Sequence, residues 1–300
     1  MSKEKYLVVL LGSPRGGEFA WKSLYKYVLD FLNADLAVCT GKKWLTNQSF
    51  MNKATHDWTF EEHENWKDYY KEKNILNWQK AFGLENGAGL IESGLIHFAI
   101  KNIILQEHIE TIKNYDFIIF SRFDQLYTDY HIRGFEDKII IPDGEDYFGL
   151  HDRHAVLPAD MAENYLNVLN YFVSNFENFI NFDYVNCETV NMKHLESFIS
   201  SENILRSKRI QFTCATKDDQ TNWRKARIKV KLMRNLYLKY PDEFLDAINN
   251  LVFNIKVSKL SFQNLVFISN YYLIMVKIKF GKYKKILTSE ISSFFCIPLF

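Results

Sequence analysis

The sequence lacks the features that mark the commonest special cases. Its four cysteines, Cys39, Cys187, Cys214 and Cys296, lie far apart with no CxxC pair. That spacing speaks against a zinc knuckle and supplies no disulfide framework; a reduced, cytoplasmic setting is the simplest reading. There is no GxGxxG or Walker phosphate loop and no HExxH metalloprotease helix. No internal repeat or low-complexity tract occurs, and the composition does not read as disordered. Met1–Lys5 is polar and charged, and the apolar run Tyr6–Leu11 behind it is too short for the core of a signal peptide. The expectation is a chain without a secretory leader.

What is present is enough apolar material for a sizeable core: 47% hydrophobic residues, with aromatics at 16%. Three hundred residues make one large domain, or a domain with an appendage. The net charge of +1 hides an asymmetry. Residues 224–300 carry 14 Lys/Arg against 4 Asp/Glu, a net of +10, and residues 1–223 carry 23 against 32, a net of −9. Such a split points to a tail that meets an anionic surface. Leu260–Val276 is uncharged yet too polar and slightly too short for a membrane span. Lys277, Lys279, Lys282, Lys284 and Lys285 follow it, mixed with Phe280 and Tyr283. Basic and aromatic residues beside an apolar helix suit a membrane interface, with peripheral contact through residues 256–285; a packed helical pair with a solvated basic face reads the same way. No nucleic-acid module accompanies the tail, so nucleic acid is not an expected partner.

The element order points to α/β architecture. Tyr6–Leu11 reads as a buried strand ending at Gly12. The turn Gly12-Ser13-Pro14-Arg15-Gly16-Gly17 lets a backbone approach a ligand, and its N–H groups with Arg15 suit a base or phosphate. An ordinary βα turn has the same composition. Phe19–Leu32 has helical spacing, and Leu36–Cys39 is a second strand, which completes a βαβ opening and implies a parallel sheet. Residues 42–90 read as an irregular insertion with short helices, and Leu90–Ile112 as a long helix. Lys138–Ile141 and Arg209–Cys214 read as further strands, Pro158 opens a helix to about Phe179, and the chain from about Asn222 through the 240s reads as helical.

The most informative stretch is Tyr115–Asp124, YDFIIFSRFD. A β-branched and aromatic run breaks off into Arg122-Phe123-Asp124, and residues at i and i+2 of a strand share a face. Ligands of α/β sheets bind at the carboxyl ends of strands; a carboxylate there suits a hard cation and a guanidinium suits phosphate. A surface ion pair at a strand end has the same sequence. The loop Phe148–His154 gathers two imidazoles, a carboxylate and the Arg153 guanidinium; His151, Asp152 and His154 could ligate a metal or orient a sugar hydroxyl, or the loop could simply cap a helix. Glu188 and Glu196 lie in a polar stretch and, with Asp152, are the candidates for a general base. Asp218 and Asp219 are similar acids after a strand, which a helix N-terminus would equally favour.

Three segments, LLGSPRGGEFAWKSLYKYVLDFLNADLAV, YDFIIFSRFD and FGLHDRHAVLPADMAENY, together resemble a group of glycosyltransferases of capsule, lipopolysaccharide and surface-glycan assembly. The shared pattern is a Gly/Arg turn after the first strand, a strand ending in RxD, and a later G-x-N-D-R-F-like segment before an M-x-x-Y element, here Met161–Tyr165. An acidic segment, here Leu195–Phe198, also recurs. The likeness spans roughly residues 6–225. It implies a GT-A-like fold, a Rossmann-type nucleotide-binding sheet flanked by helices, with a variant of the metal-binding DxD motif. By that resemblance Asp124 would ligate a divalent metal (Mn²⁺ or Mg²⁺), and Arg122 would partner the diphosphate. Gly12, Ser13, Pro14 and Arg15 would hold the nucleotide, and Asp152 would sit near the sugar. Two departures stand out: Arg122 replaces the first Asp of a full DxD, and His151 and His154 stand where Asn and Phe are usual.

The expectation is therefore a GT-A-like catalytic domain over 1–223 and a helical, basic and aromatic C-terminal extension over 224–300. Its substrates would be a nucleotide-sugar donor and a glycan or lipid-linked acceptor, handled in the cytoplasm or at the inner face of the membrane. A sulfotransferase-like or other nucleotide-dependent group transferase, and a non-catalytic scaffold derived from a transferase, remain as alternatives.

Overall fold

The computed structural model describes residues 4–46, 48–217, 219, 230–233, 235–254, 268–269 and 271–272. Among these, two sheets form. The strands are β1 (Tyr6–Leu11), β2 (Asp35–Cys39), β3 (His56–Asp57), β4 (Phe117–Arg122), β5 (Gln125–Tyr127), β6 (Ile139–Pro142), β7 (His154–Pro158), β8 (Ile204–Ser207), β9 (Gln211–Thr216), β10 (Val230–Met233) and β11 (Leu236–Leu238). A seven-stranded central sheet runs in the order β3-β2-β1-β4-β7-β6-β8, and a four-stranded sheet in the order β10-β11-β9-β5. In the central sheet β1 pairs parallel with both β2 and β4, β3 is parallel to β2, and β8 is parallel to β6. Only β7 runs against its neighbours, antiparallel to β4 and β6. The molecule is thus mixed α/β, with a mostly parallel sheet flanked by helices.

The central strands are apolar throughout because both faces are covered, as expected of parallel strands. On one face Leu7, Val9, Ile118, Phe120 and Leu157 pack under the long helix Leu95–Ile112 and the helices of 162–179. On the other, Val8, Leu10, Ile119 and Val156 meet Ala20, Trp21 and Leu24 of the helix Gly17–Leu24, together with Phe212 and Phe244. Each such fully buried side chain contributes about 1.5–3 kcal/mol, so alternation along the strands fixes the layers.

The expected elements over 6–39 and 90–122 form as read, and 42–90 holds short helices around the two-residue strand β3. Two expectations are corrected. The loop 148–154 leads not into a helix but into β7, whose HAVLP sequence pairs with β4, Ser121 facing His154; Pro158 ends that strand before helical turns begin. The described part of 222–240 is not helical: β10 and β11 form a hairpin on β9, and the helix Pro241–Asn254 follows. The chain on both sides of residue 223 therefore shares one sheet. The proposed membrane-contacting stretch 256–285 lies almost wholly outside the described residues. Among the described residues no helix is long and apolar enough to cross a membrane.

Candidate active site at the carboxyl edge of the sheet

The strand directions bring three loops to one edge. β1 and β4 end side by side, with Leu11 opposite Arg122. The β6–β7 connection, 143–153, starts and finishes at the same edge because β7 is reversed. From β1 the chain proceeds to β2 and β3 on one side and resumes with β4 on the other, which makes the β1/β4 junction a topological switch point, where ligands of open α/β sheets bind.

The Gly12–Gly17 turn is held tightly against β4 and β9. Gly16 and Gly17 have φ of 89° and 70°, values glycine adopts without strain. A Cβ on Gly16 would lie 3.0 Å from the Cα of Asp124, and one on Gly17 would lie 2.6 Å from Thr216 Cγ2. The Asp219 carboxylate accepts hydrogen bonds from the backbone N–H of Gly16 (2.9 Å) and Thr216 (2.7 Å). Of the Asp218–Asp219 pair noted in the sequence, Asp219 thus ties the first turn to the end of β9. Beside Gly12 there is open space. Gly12, Ser13, Pro14 and Arg15 are all partly exposed along this rim.

Arg122 grips Asp124 through two hydrogen bonds, Nε to Oδ1 at 3.0 Å and Nη2 to Oδ2 at 2.6 Å. Burial alone would raise the carboxyl pKa of Asp124; Arg122, Arg15 and Lys239 together bring it below the usual value. Both carboxylate oxygens are already engaged by Arg122, and the surrounding field is positive. Among the described residues no group of three His, Cys, Asp or Glu side chains gathers to hold a metal. Arg15, Arg122 and Lys239 instead form a cationic surface suited to an anionic group. Burial among these cations lowers the Lys239 pKa to about 7, so an incoming anion would reinforce its charge.

Asp152 and Glu188 come together from different elements. Asn186 caps the helix Cys187–Glu196, its side chain accepting from Thr189 N–H at 2.8 Å. The loop before β7 docks on that first turn: Leu150 N–H donates to the Glu188 carbonyl (3.0 Å), and Asn186 Nδ2 donates to the Tyr147 carbonyl (2.8 Å). Burial and the charge of Asp152 push the Glu188 pKa up to about 8. Asp152 itself, despite burial, is held below its ordinary value by His97, Arg153, Lys101 and Arg122. His97 Nε2 lies 3.5 Å from Asp152 Oδ2; burial lowers the imidazole pKa to about 3, against the pull of Asp152. Lys101, one turn further along the same helix, is buried with its Nζ 4.4 Å from the centre of the Tyr165 ring. Its pKa falls to about 8 through burial, against the pull of Asp152. Two neighbouring carboxyl groups with pKa values driven apart are what paired acid and base roles require.

Behind this surface a buried ion cluster locks the edge. Glu243 meets Arg153 Nη2 at 3.0 Å and Arg209 Nη1 at 3.4 Å, and its other oxygen accepts from Thr213 N–H at 2.6 Å. The Arg153 guanidinium also lies 4.8 Å from the centre of the Tyr240 ring.

Of the residues expected from the sequence, Arg15, Arg122, Asp124, Asp152 and Glu188 are brought to one electrostatic cluster. Glu196 is not: it pairs with Lys193 at 2.7 Å on the surface. His151 and His154 are buried and turned to other work. His151 Nε2 accepts from Arg153 Nε at 3.4 Å, and His154 lies in a chain with Tyr127 (3.3 Å) and His131 (3.0 Å). His97, Lys101, Lys239 and Tyr240 were not singled out in the sequence. A His97/Lys101 pair at i, i+4 in the mainly apolar first half of the helix Leu95–Ile112 was the available signal; for Lys239 and Tyr240 there was none. The chain matches no protein-family model, and no curated protein is similar to it.

Proposed function

We propose that this protein is a glycosyltransferase that uses a nucleotide-sugar donor. The observation that carries the reading is the juxtaposition, at the β1/β4 switch point, of a cationic surface (Arg15, Arg122, Lys239) with a carboxyl pair of split acidity (Asp152, Glu188). Transfer of a glycosyl group breaks the bond between the anomeric carbon and the diphosphate, and negative charge grows on the departing phosphate oxygens. Arg15, Arg122 and Lys239 are suited to stabilise that charge, the part of the work often given to a metal ion. Asp124 positions Arg122 and keeps the cations together in the absence of donor.

Glu188 is the proposed base. Its pKa near 8 lies close to operating pH, where a base combines an accessible ionised form with real proton affinity. It takes the proton of the acceptor hydroxyl as that oxygen bonds to the anomeric carbon. Asp152, ionised throughout, sets the proton affinity of Glu188.

The test is thermal stability of the full chain against uridine, guanosine, cytidine and thymidine nucleotide-sugars, in EDTA and in Mn²⁺, with adenosine 3′,5′-bisphosphate alongside. A shift with one nucleotide-sugar class that disappears in Arg15→Ala supports the reading. A shift confined to the bisphosphate would favour a sulfotransferase. Silence of the folded protein across the panel would favour a scaffold.

A further inference from the structure

Beside the first turn of the helix Cys187–Glu196 lies an open cavity of about 500 Å³, lined by Phe148, Asn181, Phe182, Asp183, Tyr184 and Thr189. Its wall includes the residue directly after Glu188. Phe148 is 80% exposed, and its ring stands 5.4 Å from that of Tyr184. Tyr184 is also exposed, so the two rings together present an apolar face at the mouth of the cavity.

The backbone holds Phe148 there against its own preference. Gly144, Glu145, Tyr147 and Phe148 have φ of 81°, 55°, 43° and 71°. Three of these are side-chain-bearing residues in the left-handed region, each costing on the order of 1–3 kcal/mol. The segment is fixed by Arg209 Nη2 on the Gly144 carbonyl (2.6 Å), Asn186 Nδ2 on the Tyr147 carbonyl (2.8 Å) and Arg206 Nη2 on the Asp146 carboxylate (3.0 Å). Such strain persists where the surroundings impose it, and it gathers at ligand sites.

We infer that this cavity is a carbohydrate subsite that receives the acceptor sugar, an inference that rests on the transferase reading for the word acceptor only. A sugar ring has an apolar C–H face, which suits Phe148 and Tyr184, and a rim of hydroxyls, which suits the amide of Asn181 and the carboxylate of Asp183. Asp183 selects against a phosphorylated or otherwise anionic ligand, so the occupant is a neutral saccharide. Phe148 and Thr189 in the wall flank the point where Gly149 meets the Glu188 backbone, so the cavity adjoins the helix turn that carries Glu188.

The experiment is saturation-transfer NMR of the full chain with methyl glycosides of common neutral hexoses, their disaccharides and the matching octyl glycosides. It is run on the wild type, Phe148→Ala and Tyr184→Ala, with unfolding midpoints recorded for each, and the nucleotide-sugar panel is repeated on the same samples. Binding of at least one methyl glycoside or disaccharide is expected, weakened about tenfold in each variant, with unfolding midpoints and any nucleotide-dependent shift unchanged. No saccharide binding to the folded wild type, or binding that survives both substitutions, overturns the inference. Binding of octyl glycosides alone overturns it in favour of an apolar docking surface. Saccharide binding lost in the variants, with nucleotide panels silent, leaves the subsite standing and removes the transferase reading.

Discussion

Gly149 sits directly against the backbone of Glu188: a Cβ at position 149 would overlap the Glu188 carbonyl and the Thr189 amide. This contact seats the loop bearing Asp152 on the helix bearing Glu188. Gly149→Ala is expected to push the two apart and to destabilise the fold by about 1–3 kcal/mol, with a larger proportional loss of transfer rate than of stability. Denaturant unfolding read beside the turnover number checks this; an unaltered rate in a destabilised variant would deny the contact its role in aligning the pair.

Arg15→Ala and Arg122→Ala should each lower kcat by about 10²–10³-fold, the usual effect of removing one preorganised donor to developing charge. Full activity is expected in EDTA. A requirement for Mn²⁺ or Mg²⁺ that Asp124→Asn abolishes would return Asp124 to the role of metal ligand.

The carboxyl pair gives a pH signature. Glu188 is active when ionised, so kcat/KM should rise with pH through about 8. Removing the Asp152 charge takes away a contribution that raises the Glu188 pKa, so Asp152→Asn should move that limb to lower pH. Lys239, near 7, and Lys101, near 8, titrate in the same range, and the control is Lys239→Arg, which should leave the limb in place. Stability should show the opposite slope. Because Glu188 keeps its proton in the folded state, its contribution is fully present below its unfolded pKa and declines as pH rises towards about 8. Glu188→Gln should flatten that decline in urea titrations.

Glu243→Ala should be severely destabilising, by about 3–5 kcal/mol, because it leaves the buried Arg153 and Arg209 without their counter-charge. Chemical unfolding of the variant measures it; a loss under 1 kcal/mol would mean water compensates both guanidinium groups.

Much of this architecture was legible in the sequence, for a physical reason. β1 and β4 are buried on both faces and so appear as unbroken apolar runs, and Arg122-Phe123-Asp124 marks where one stops. β7 was hidden because Pro158, which ends it, also has the composition of a helix start. The hairpin of β10 and β11 did carry a signal, Val230 and Leu232 alternating with Lys231, but it was outweighed by the helical look of the flanking basic residues. Glu188 and Glu196 are indistinguishable in sequence. Eight residues of helix separate them by roughly 12 Å, and that distance puts one beside Asp152 and the other beside Lys193. His97 and Lys101 gave little away because the first half of the helix around them is mainly apolar, so polarity did not mark a face.

The Arg153–Glu243–Arg209 cluster also sets an order of events during synthesis. The ribosome delivers chains from the N-terminus, and domains fold as units while they emerge. Both arginines are made well before Glu243, and each is destined for a place with almost no water. A nascent chain that ends short of residue 243 can assemble β1 to β4, but it has nothing to neutralise those two charges and no reason to bury them. The edge where β1 and β4 end is then left open until the helix Pro241–Asn254 arrives, so an incomplete polypeptide released early would not present a finished candidate site to the cell.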